Sequence, residues 1–92
     1  MTLKYATLYS LREGNVRRLG DIALEVGRLR GEPEQDCGPG ERVYQGCSAL
    51  LKEWRDRFGC VENYQVSPDI ERPGYWKITE AGIAYLKANP KT

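Results

Sequence analysis

The chain has 92 residues, 40% apolar and 29% charged, with a formal net charge of +1; this suits one globular domain spanning 1–92 rather than a disordered or multidomain protein. It has no histidine, which excludes Ser-His and Cys-His catalytic pairs and mixed Cys/His zinc sites. No apolar run approaches the roughly 18 residues of a membrane span, and "MTLKYATLYSLREG" has no signal-peptide segment, so a cytoplasmic protein without a membrane partner is expected.

In chain order, "TLKYATLYSLR" places Leu3, Ala6, Leu8, Tyr9 and Leu11 at mixed helical spacing, with Thr2 as cap and Gly14-Asn15 as stop. Val16-Arg17-Arg18 reads as a short extended piece. "LGDIALEVGRLRG" repeats Leu19, Ile22, Ala23, Val26 and Leu29 at steps of three and four, which predicts an amphipathic helix. Asp21 in its first turn and Arg28 and Arg30 in its last suit the helix dipole, and Gly31 stops it. "GEPEQDCGPGE" is rich in Pro, Gly and acid and predicts a loop, either a solvated connection or a phosphate mimic lying over a basic face.

"RVYQGCSALLKEWRDRFG" predicts a third helix with Val43, Cys47, Leu50, Leu51, Trp54 and Phe58 as its apolar stripe. Gln45, Ser48, Ala49, Lys52, Glu53 and Asp56 fall on the opposite side. "CVENYQV" alternates as a strand, "SPDIERPG" is a hairpin tip, and "YWKIT" is the returning strand, with Trp76 and Ile78 suited to pack on the helices. Thr79 caps a last helix that Asn89-Pro90 ends. Three helices, a β-hairpin and a closing helix predict an α+β fold of winged-helix type.

The charge is unevenly spread. Residues 1–30 carry +3, 31–41 carry −4, 42–58 carry +2 and 59–92 balance at zero. A basic remainder is thus hidden behind one acidic segment. The three cysteines, an odd number, do not suggest a disulfide framework. Cys47 and Cys60 read as core residues and Cys37 as a loop thiol; a redox or metal sensor built on the three is the competing reading.

From about Arg17 to Pro90 the chain resembles the winged-helix domain at the N-terminus of Mrr-type restriction endonucleases, through "RRLGDIALEV", "GERVYQGCSALLKEW" and "RPGYWKITEAGIAYLKANP". In that family a glycine, a hydrophobic pair and an "(I/L)T..G...L" run mark the second wing strand entering the last helix; here these are Gly74, Tyr75, Ile78, Thr79, Gly82 and Leu86. Two features depart from the family. Arg72-Pro73-Gly74 stands where Arg-Gly is usual, and Cys47-Ser48-Ala49-Leu50 lacks the family's recognition-helix arginine. The nuclease domain has no counterpart in these residues, so the resemblance implies a DNA-binding module without cleavage.

In a winged helix the third helix enters the major groove. Gln45 can pair with adenine, Ser48 is tolerant, Ala49 can touch a thymine methyl, and Lys52 can reach guanine or phosphate. Arg42 at the helix start, Tyr44 at its edge, Arg17 and Arg18 before helix two and Arg72 in the wing complete the expected set of contacts to double-stranded DNA. Against this, the polar face of helix three can be merely solvated, Glu53 and Asp56 repel phosphate, and Asp69 and Glu71 weaken the field at Arg72. Arg17 and Arg18 can be ordinary surface residues.

A small transcriptional regulator working as a homodimer is the leading expectation, with Leu8, Leu11, Tyr85 and Leu86 as candidates for the dimer contact and equally for the core. A winged helix that docks a protein partner is the alternative. No cofactor is implied, and nothing in the sequence supports an enzyme: there is no phosphate-cradling loop and no paired carboxylates on one element.

Overall fold

The computed structural model describes residues 1–64 and 74–90. It is α+β, with four helices and a three-stranded antiparallel sheet. Helix α1 (Leu3–Tyr9) starts where the Thr2 hydroxyl accepts from the Tyr5 amide at 3.1 Å, a cap worth about 1 kcal/mol. Strand β1 (Arg17–Arg18) leads directly into α2 (Leu19–Arg30), which ends on Gly31 in the left-handed region at φ 70°. Helix α3 (Arg42–Asp56) is followed by β2 (Val61–Asn63), β3 (Tyr75–Ile78) and α4 (Glu80–Ala88). Thr79 caps α4, its hydroxyl accepting from the Gly82 amide at 3.2 Å.

The strand order is β1-β3-β2. Trp76 lies at the centre of the sheet, opposite Arg17 on one side and Asn63 on the other. This arrangement is compatible with a winged helix: the short strand between α1 and α2 pairs with the second strand of the hairpin.

The core is one cluster drawn from the first three helices, the segments between elements and the sheet, with Tyr85 and Leu86 of α4 packed against it. Leu8, Leu11, Ile22, Val26, Val43, Leu51, Trp54 and Trp76 are essentially sealed from solvent. Trp54 anchors it: its indole N–H donates to the Lys4 carbonyl at 2.9 Å, and Tyr85 meets its ring edge-on at 5.1 Å. The expected packing of Trp76 and Ile78 beneath the sheet holds, at 2% and 4% exposure. The Trp76 indole N–H, although buried, finds no acceptor among the described residues.

Three expectations are corrected and one open choice is decided. Leu8 and Leu11, offered both as dimer candidates and as core, are core residues. Phe58 lies past the end of α3 and is 41% exposed, so it is not part of the buried stripe; it packs on Trp54 and lies under the Lys4 ammonium at 4.5 Å. Cys37 is not a loop thiol: it is buried against Gly27 of α2, where a Cβ would overlap its sulfur. The acidic segment is not simply a solvated connection, because it makes a 3-10 turn over Glu34–Asp36 and carries Cys37 into the core. The hairpin tip, including Arg72, lies outside the described residues.

Candidate nucleic-acid interface

Helix α3 buries Val43, Cys47, Leu51 and Trp54 on one face. Helical periodicity then turns Gln45, Ser48, Ala49 and Lys52 outward. With Tyr44 and Gly40 they line one shallow concave surface, and none of its lining side chains among the described residues is acidic. Tyr44 is half-buried against the core, while Gln45, Ala49 and Lys52 are exposed.

Gln45 is oriented by the loop before the helix. Its amide nitrogen donates to the Gly40 carbonyl at 2.8 Å. One of its two amide hydrogens is thereby used, and the other, with the side-chain oxygen, is left to meet a ligand. A two-point pairing with adenine uses the oxygen and one amide hydrogen, so the groups it needs are present while the bond to Gly40 fixes the side chain. Gly40 holds the turn at φ 79°, a conformation that favours glycine.

The acids expected to repel phosphate are occupied by the protein's own bases. Glu53 faces Lys4 at 3.2 Å and Arg57 at 3.4 Å. Arg55 donates to Asp56 at 2.8 Å, and this bond holds the Asp56 carboxyl below the usual carboxylate range.

The expected basic contacts divide. Lys52 has no ion pair among the described residues and belongs to the concave face. Arg18 is 65% exposed, with only a loose contact to Asp21 at 3.4 Å. Arg42 is exposed but gripped by the acidic segment, at 2.5 Å from Glu32 and 3.1 Å from Asp36. Arg17 points elsewhere: it pairs with Glu25, donates to the Ser10 carbonyl at 2.8 Å, and lines a different hollow with Glu13 and Asp21. Arg17 therefore joins α1, β1 and α2 and is not grouped with the α3 face.

The sequence reading missed Gly40 as the partner of Gln45, and Glu32 and Asp36 as partners of Arg42. The Pro-Gly pattern marked the turn, but nothing local signals which carboxylates it carries to the start of α3.

No family model, curated protein or solved structure matches this chain.

The three thiols are buried and unpaired by disulfide. Burial raises the pKa of each above that of a free thiol, and at Cys37 the charges of Asp36 and Glu32 raise it further. They are protonated at neutral pH and poor nucleophiles. Among the described residues no group of three or more His, Cys, Asp or Glu is placed to hold a metal ion. No helix among them is long and apolar enough to cross a membrane.

Proposed function

We propose that this chain is a winged-helix module that binds double-stranded DNA and acts as a small transcriptional regulator. The observation that carries the reading is the concave face on α3, lined by Tyr44, Gln45, Ser48, Ala49 and Lys52 and with no acid in its lining among the described residues. The strand order, with β1 joined to the hairpin, supports the winged-helix assignment. In this reading the first half of α3 enters the major groove. The Gln45 oxygen accepts from an exocyclic amino group, cytosine N4 or adenine N6, while Ala49 meets a thymine methyl. Lys52 and Arg18 contact phosphates, joined by Arg42 once it leaves Glu32 and Asp36.

Fluorescence anisotropy with a labelled mixed-sequence duplex tests this. Binding is expected at low salt and weakens as salt rises. Lys52→Glu is expected to lower affinity about tenfold or more, because it replaces attraction by repulsion at the phosphate. No binding at low salt overturns the reading.

The second reading, docking of a protein partner through the same face, is favoured by one observation. Arg42, the base at the start of α3, is engaged by Glu32 and Asp36, which leaves Lys52 as the one base lining the concave face among the described residues.

A further inference from the structure

Helix α4 is fastened at both ends. The Thr79 amide and hydroxyl donate to the Cys60 and Gly59 carbonyls at 2.9 and 2.6 Å, and the Tyr5 hydroxyl donates to the Asn89 carbonyl at 2.7 Å. Yet it buries only Gly82 fully, with Tyr85 and Leu86 partly packed on the core. At 100° per residue these three share one side. Glu80, Ile83, Ala84 and Lys87 occupy the other, and all four are exposed, Ile83 at 37%. The outward face of this fixed helix is apolar at its middle, with one acid at its first position and one base in its last turn.

We propose that this face is the contact between two copies of the chain, with the two α4 helices packed antiparallel about a two-fold axis. A two-fold contact must be self-complementary, and the charge order of α4 meets that condition in one orientation. Antiparallel pairing centred between Ile83 and Ala84 brings Glu80 of each copy opposite Lys87 of the other. Parallel pairing sets like charges together. Neither Glu80 nor Lys87 has an ion pair within the chain among the described residues. Ala84 at the crossing lets the axes approach closely, and Ile83 of one copy packs beside Ala84 of the other. Nine residues of helix span only about 13 Å. The patch is smaller than a standard interface, so the dimer is reversible, of micromolar to sub-millimolar strength. This interface does not depend on the DNA-binding reading.

Sedimentation equilibrium of the 92-residue protein, from about 10 µM to about 1 mM, is expected to show a monomer–dimer equilibrium. Ile83→Asp is expected to weaken it at least tenfold, because each dimer then buries two carboxylates in its apolar seam. Its thermal melt at low protein concentration is expected to match the parent, because Ile83 is exposed in the monomer. Glu80→Lys and Lys87→Glu are each expected to weaken self-association. An equimolar mixture of the two restores every opposite pairing and is expected to associate more tightly than either alone. A monomer throughout the range overturns the proposal. So does a dimer indifferent to Ile83→Asp, or a mixture no tighter than its components.

Discussion

Glu25 sits half-buried on α2 and takes hydrogen bonds from Arg12, in the turn after α1, and from Arg17 of β1. Burial alone raises the pKa of its carboxyl, but the two arginines outweigh that and hold it below the usual value. A carboxyl whose folded pKa is depressed stabilises the fold fully above its unfolded pKa. That contribution is lost as pH falls through the folded value. Glu25→Gln is therefore expected to cost about 1–2 kcal/mol near neutral pH. The gap between variant and parent should close below about pH 4. Urea titrations at several pH values check this, and a gap independent of pH contradicts the assignment. No sequence pattern announces the group, because Arg12 and Glu25 are joined across a turn. Arg17 looked like a phosphate contact because its partner lies eight residues away on another element.

Among the elements, the helices were legible from their periods and from three end signals, Thr2, Gly31 and Thr79, which act as their types suggest. The misplaced residues have physical causes. Leu8 belongs to a short helix and Leu11 to the turn after it, a stretch too short to show which of its apolar residues face inward. Phe58 continues the period of α3 in sequence, but the helix has already ended at Asp56. Gly82 belongs to the run through which the wing strand was recognised, and its role is close packing. A Cβ there would collide with the Cys60 carbonyl and the Ile78 side chain. Gly82→Ala is expected to push α4 off β3 and cost about 2 kcal/mol. That corresponds to a fall in melting temperature of roughly 10 °C, read by circular dichroism. A melt unchanged within a degree or two contradicts this close approach.

For the whole molecule, the near-neutral net charge is set by composition, and folding places the acidic segment against Arg42 at the start of α3. The uneven charge was readable in the sequence, and so was the exposed set on α3, because both follow from position alone. The grip of Glu32 and Asp36 on Arg42 was not, since it depends on how the 3-10 turn seats Cys37 under Gly27. The double variant Glu32→Gln/Asp36→Asn releases Arg42 and removes two negative charges. Affinity for duplex DNA at low salt is expected to rise about three- to tenfold, with one more phosphate contact in the salt dependence. Anisotropy titrations at several salt concentrations check both quantities. Unchanged affinity and slope mean that Arg42 does not take part.

The buried indole of Trp76, whose N–H has no acceptor among the described residues, gives the protein an internal optical probe. A buried indole without a hydrogen bond emits toward the blue, and wetting it shifts the emission to the red. Trp54, bonded to a carbonyl, starts from a different wavelength. Because Trp76 joins both outer strands, its colour reports whether the sheet is closed. In a Trp54→Phe background, emission can follow the opening of the sheet while circular dichroism follows the helices, and any difference between the two transitions measures how independently they come apart.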